Sequence, residues 1–341
     1  MAGALPCEWI AMTENTQYMT STSSTTDASE ARAARDHRHD MWFRRTMMGA
    51  GMLVLVLLLS IAGSTLWGGS EAFRTFGFGF LTSTQWDVVN GQFGAVVPIF
   101  GTLVTSLLAL LIAVPVSFGI AIFLTEVAPV WLRMPIASAI ELLAGIPSII
   151  YGMWGLFIFG PFMAAHLAPW INDHLGALPV VGSLFQGPPL GIGMLTAGIV
   201  LAIMITPFIT SVMHEVFRSV PTTLKESAYA LGNTTWEVVW DIVLPYTRSA
   251  VVGGVFLGLG RALGETMAVT FVLGNAHQFS ASLLMPSSSI ASVIANEFSE
   301  AYTDLHRSAL IALGFLLFVV TFVVLAAARL MLMRLSRKEG L

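Results

Sequence analysis

Apolar residues in this chain gather into long runs, and charged residues are confined to the gaps between them. No Asp, Glu, Lys or Arg falls within residues 46–70, 88–125, 142–172, 174–214, 266–296 or 308–328. A helix needs about 20 mostly apolar residues to cross a bilayer. The pattern therefore predicts membrane helices over roughly 46–67, 99–125, 136–162, 191–213, 247–273 and 305–332. The fifth qualifies only if it carries two charges, Arg261 and Glu265, inside it. The predicted fold is all-α and polytopic, with six transmembrane helices. Pro115 and Pro147 fall inside predicted spans, where each removes a backbone donor and predicts a kink. Five glycines between 253 and 264 place the fifth helix at the centre of the bundle, because small residues let helix backbones approach.

Composition strengthens this picture. The chain has 341 residues, 55% hydrophobic and 11% charged, where a soluble domain carries about 25% charged residues. Cys7 is the only cysteine, which excludes an intrachain disulfide and a cysteine-based metal site. Residues 1–45 are polar and end in a basic stretch, the pattern of a disordered cytoplasmic tail before an uncleaved first helix. His37 and His39 in "DHRHD" lie in this tail without neighbours to orient them, so no metal site is assigned. His166, His174 and His277 fall singly in predicted loops and read as interfacial. Trp67, Trp86, Trp131, Trp154 and Trp170 read as membrane-border anchors. The predicted spans leave 13 of the 16 Lys and Arg on one side, which by the positive-inside rule puts both termini and the segment 214–248 in the cytoplasm.

That segment holds the densest local signals, in "SVPTTLKESAYALGNTTWEVVWDIVLPYTRS". Thr223 with Glu226 and Thr234 with Glu237 each have the spacing of an N-terminal capping box. The first predicts a short helix with Leu224, Ala228 and Leu231 on one face, ended by Gly232. The second predicts another short helix from about 235 to Pro245. Together they form a knob suited to a groove on a partner.

The chain has no G-x-x-x-x-G-K-[ST] phosphate loop, and neither of its lysines, Lys225 and Lys338, follows glycine. It therefore cannot hydrolyse ATP by the P-loop route. Arg261 and Glu265 stand four apart, on one face of a continuous helix, where they can pair. A central Arg costs roughly 2.5–3.5 kcal/mol on insertion scales. Such a cost points to a substrate pathway, with the planar guanidinium facing an oxyanion; a pair that only pins the bundle is the structural alternative. The charges alone fit phosphate, sulfate or molybdate, and fit an ion-gradient-driven anion symporter as well.

Glu226-Ser227-Ala228, three residues, Gly232, nine residues, then Ile242-Val243-Leu244-Pro245 resembles the permease signature of ATP-binding-cassette importers. That signature reads E-A-A, three residues, G, nine residues, I-x-L-P, and Ser227 replaces one alanine. With "GLGRALGETMAVTFVLGN", "IPSIIYGMWGLFIFGP" and "ANEFSEA", residues from about 75 to 340 resemble the PstC-type permeases of bacterial high-affinity phosphate importers. The resemblance implies the importer permease fold, with residues 222–245 acting as coupling helices in a cleft of an ATPase subunit. It implies a first helix and extracytoplasmic loop over 46–98, a permease core over 99–333 and a cytoplasmic C-terminus over 334–341. It also matches Arg261 and Glu265 to the family's intramembrane pair. The implied partners are a second homologous permease chain, two copies of an ATP-binding subunit that hold ATP and Mg, and an extracytoplasmic phosphate-binding protein. The chain itself would need no cofactor, would lie in the bacterial inner membrane, and would work by alternating access.

Overall fold

The computed structural model describes residues 40–179 and 182–337, so His37, His39, Cys7 and Lys338 lie outside the described residues. In chain order the helices are α1 (Asp40–Gly68), α2 (Ser70–Phe76), α3 (Val96–Val127), α4 (Val130–Ala144), α5 (Ser148–His174) and α6 (Met194–Arg218). There follow α7 (Thr222–Ala230), α8 (Thr235–Leu263), α9 (Met267–Val272), α10 (Ile290–Glu297) and α11 (Asp304–Arg337). Six of them, α1, α3, α5, α6, α8 and α11, are long and apolar enough to span a membrane. Among the described residues the only β pairing is two isolated bridges. The all-α, six-span expectation holds.

The chain divides into two compact units, residues 1–63 and 64–341. In the first, α1 is apolar on every side from Met47 onward, the signature of a helix solvated by lipid. In the second, the most buried span is α6, not the glycine-rich helix. In its most apolar stretch 61% of residues are buried, against 28% for α3, α5, α8 and α11. Met194, Ala197, Val200, Leu201, Ile205, Ile209 and Met213 of α6 are sealed from solvent. The glycines of α8 explain why it is a neighbour of the centre and not the centre itself. Gly254 and Gly258, one turn apart, face Val212 and Ile209 of α6, whereas Gly253 faces open space.

Two expected spans are displaced. The third does not run through 136–162; α4 ends at Ala144 and α5 starts after Pro147. Pro147 begins a helix instead of kinking one, because its fixed φ suits a first turn and it disfavours helical geometry in the residue before it. Pro115 lies inside α3, as expected. The fifth span does not reach 273. It stops at Leu263 with Gly264 as its cap, and α9 starts afresh at Met267.

At the α10 end, distant segments meet on one carboxylate. Trp86 Nε1 donates to Glu297 Oε2 at 2.9 Å, and His306 Nε2 lies 3.0 Å from the same oxygen. His277 Nε2 lies 3.0 Å from Oε1. The rings of His277 and Trp86 stack at 5.8 Å, and His306 stacks on Phe93 at 5.1 Å. Both Nδ1 atoms are buried without a hydrogen-bond partner among the described residues. Burial by itself would raise the Glu297 carboxyl. Hydrogen bonds from His277, Trp86 and His306, and the charge of His277, outweigh it and hold the group below the usual carboxylate range.

The same end is tied to α3. Thr102 Oγ1 accepts the Ile290 N–H at 2.9 Å, and Gly101 lies so close to Ser288 that a methyl there would collide with the Ser288 carbonyl. Gly101→Ala should cost about 1–3 kcal/mol. Gly119→Ala, on an open face of the same helix, should be neutral or stabilising by up to about 1 kcal/mol. Thermal unfolding of the purified variants in detergent checks both. Glu297→Gln should cost about 1–3 kcal/mol, since it weakens three buried hydrogen bonds. A carboxyl lowered on folding stabilises fully above its ordinary value of about 4.5, and that contribution is lost as pH falls through the lower folded value. Native protein should therefore lose stability more steeply than Glu297→Gln on acidification from pH 5.

Candidate functional site

The segment after α6 folds as a projecting knob. Ser219 closes α6 and Pro221 starts α7. With Pro221 as the cap, Thr223 falls inside the helix, so the first expected capping box does not form. Ser227 Oγ instead donates to the Thr223 carbonyl at 2.7 Å. Gly232 ends α7 as expected, at φ +91. Its N–H meets the Tyr229 carbonyl at 3.0 Å and the Asn233 N–H meets the Ala228 carbonyl at 3.2 Å, the double closure of a Schellman motif. The second capping box is present. The Thr234 N–H donates to Glu237 Oε2 at 2.7 Å, and the Glu237 N–H donates to Thr234 Oγ1 at 3.4 Å.

The second short helix is not separate. From Thr235 the chain stays helical to Leu263, passing through a wide π-helical turn at Val239–Val243 directly before Leu244 and Pro245. Pro245 falls in the first turn after it, where a missing N–H is tolerated, and the helix is not broken. The α7 face is also different from the expected stripe. Ala228 is buried at 3%, but Leu224 and Leu231 are 43% and 84% exposed. Glu226, Ser227, Trp236 and Pro245 are exposed as well, while Ile242 and Leu244 are half-buried. The knob thus has an inner edge in the core and an apolar outer edge that no described residue covers.

The sequence did not reveal what holds the knob from the side. Lys225 Nζ lies 2.5 Å from Glu126 Oε1 at the end of α3. The available signal was indirect: Lys225 is one of only two lysines, and Glu126 is the first charge after the run 88–125.

Arg261 and Glu265 do not pair among the described residues. Pairing at this spacing needs helix through 265, and α8 stops at Leu263. Each charge serves a different helix end instead. Arg261 lies in the last turn of α8, exposed, with its guanidinium carbon 5.5 Å from the centroid of Phe208. Glu265 Oε1 accepts the Ala268 N–H at 3.3 Å, at the start of α9. A cation near a C-terminus and an anion near an N-terminus both oppose the local helix dipole. Arg261 therefore keeps its charge free of any carboxylate among the described residues. An exposed, unneutralised guanidinium can take an anion by charge-assisted, bidentate hydrogen bonds.

Comparison with known proteins gives three findings. Residues 117–337 match the family described as binding-protein-dependent transport system inner membrane component. The chain is 63% identical over 315 residues to the phosphate transport system permease protein PstC of Xylella fastidiosa strain 9a5c, covering 92% of this chain and 97% of that protein. It is 57% identical over 312 residues to the protein of the same name from Pasteurella multocida strain Pm70, again with 92% and 97% coverage. Among solved structures, a chain of a bacterial ABC transporter involved in the import of the acidic polysaccharide alginate superposes with a TM-score of 0.57. That match has 20% identity and covers 89% of this chain and 99% of that one. At that identity it speaks to the fold alone, which is that of an ABC transporter permease.

Gly232 has open space where a Cβ would stand, so substitution there tests backbone conformation only. Gly232→Ala should cost about 1–2 kcal/mol, the penalty of left-handed backbone, and Gly232→Asn less. Hydrogen exchange of amides 228–234 should speed up in the order Gly, Asn, Ala.

Proposed function

The chain belongs to the family of binding-protein-dependent transport system inner membrane components, and on that footing we infer that it is the PstC-type permease subunit of an ATP-driven importer of inorganic phosphate. As in the sequence reading, both termini and the knob lie in the cytoplasm, following the excess of Lys and Arg on that side. The knob, with Glu226, Leu231 and Trp236 outward, docks in a cleft of an ATP-binding subunit. ATP hydrolysis belongs to that subunit. Two copies of it, a second related permease chain and an extracytoplasmic phosphate-binding protein complete the assembly. A gradient-driven symporter finds no support in membership of a binding-protein-dependent family.

The observation that carries the mechanism is the continuity of α8. One helix runs from Thr235 in the knob to Arg261, roughly 40 Å at 1.5 Å per residue. The helix links the two places without a break in its backbone, so displacement of the knob by the ATPase re-aims the guanidinium at the far end. Arg261 gives the pathway a fixed positive charge for the phosphate oxyanion. Glu265 sets the position of α9 beside it and keeps a second negative charge close enough to stop the anion from settling.

Arg261→Gln should leave copurification with the ATP-binding subunit intact and lower phosphate uptake about a hundredfold, the scale of losing one charged partner for a buried anion. Uptake in cells with sulfate as competitor checks this. Normal transport by the variant would remove Arg261 from the pathway, and sulfate-sensitive uptake by the native chain would change the substrate.

A further inference from the structure

Lys225 is the immediate neighbour of Glu226, yet its side chain leaves the exposed face of α7 and crosses to another helix. Its Nζ lies 2.5 Å from Glu126 Oε1, and it lies 3.4 Å from the Phe217 carbonyl of α6 as well. The Lys225 side chain is 16% exposed and that of Glu126 is 7% exposed. Both charges are withdrawn from solvent, so each depends on the other for compensation.

The position of Glu126 matters more than the burial. It sits in the wide π-helical turn Phe123–Val127 that ends α3. Beside that turn opens a cleft of about 370 Å³, lined by Leu124, Thr125, Arg133, Ser138, Glu141 and His214. The turn thus borders open volume and also holds the carboxylate that meets Lys225. α7 is joined by the chain to α6 and α8 but not to α3. Among the described residues, the pair is the ionic link between α7 and α3. α3 in turn reaches the far end of the protein, where Gly101 and Thr102 are fitted against Ser288 and Ile290.

We propose that Lys225 and Glu126 are the link through which movement of α7 is passed into α3, so that the two sides of the bundle respond together to one docking surface. They are positioning residues: neither touches the anion, and both act through the helices they join. The proposal rests on α7 being the docking surface for the ATP-binding subunit.

The test uses the complete importer reconstituted in liposomes, with phosphate uptake and ATP hydrolysis measured in the same vesicles. The double variant Lys225→Met/Glu126→Gln removes the pair without stranding either charge. The exchange Lys225→Glu/Glu126→Lys restores it in reverse. In the double variant the ratio of phosphate carried to ATP hydrolysed should fall about tenfold while hydrolysis stays within about twofold of native, a coupling loss of ordinary size. The exchange variant should recover most of the ratio. A native ratio in the double variant overturns the proposal. So does loss of copurification with the ATP-binding subunit, which would make the pair a scaffold for the docking surface. Failure of the native α7 to be protected from hydrogen exchange by the ATP-binding subunit would instead refute the docking reading itself.

Discussion

A bilayer core supplies no hydrogen-bond partners, and the second unit is organised around that constraint. Backbone polar groups at membrane depth must be satisfied within helices or within protein, and apolar surface gains little by leaving lipid for another apolar surface. What brings these helices together is close fit. α6 supplies the large buried side chains, from Met194 to Met213, and its neighbours supply the small ones. α3 faces inward with Gly101, Thr105, Ala109, Ala113, Ser117 and Ala121, and α8 with Gly254 and Gly258. Two buried hydroxyls on α3 show the two ways of satisfying a polar group here: Thr105 Oγ1 donates to the Gly101 carbonyl of its own helix at 2.7 Å, and Ser117 Oγ to the Thr206 carbonyl of α6 at 3.0 Å. The Lys225–Glu126 pair and the cluster on Glu297 join segments through charged groups at the two ends.

Those two ends differ in kind. At the α10 end one carboxylate is held by three ring nitrogens from three other segments, an arrangement with several simultaneous geometric demands and little freedom. At the α7 end a flexible lysine meets a carboxylate in a wide turn, next to open volume. A transporter that changes which side is open needs such an asymmetry.

Much of this was legible in the residues, and the reasons are local. Charge-free runs mark spans because an unpaired charge in lipid is costly. Gly232 and the Thr234–Glu237 box were legible because turn and cap chemistry involve residues only a few positions apart. The breaks at 145–147 and 264–266 were not, because an apolar run reads the same whether one helix or two lie beneath it. That misreading made Arg261 and Glu265 into a pair. The Glu297 cluster and the Lys225 contact were illegible for a different reason. They join residues up to 211 apart, and no periodicity within one helix reports the rotation of another against it.

The gap between α8 and α9 has one more consequence. Arg248 is the last charge before Arg261, and from Arg248 to Leu263 α8 rises about 22 Å at 1.5 Å per residue, short of a hydrocarbon layer of about 30 Å. The part of α8 beyond Arg248 is therefore shorter than that layer. Arg261, Gly264 and Met267 around the break are exposed in this chain, and lipid tails cannot solvate unwound backbone. Whatever covers that surface must be wet or must be protein. The break thus asks for water or a second polypeptide beside Arg261.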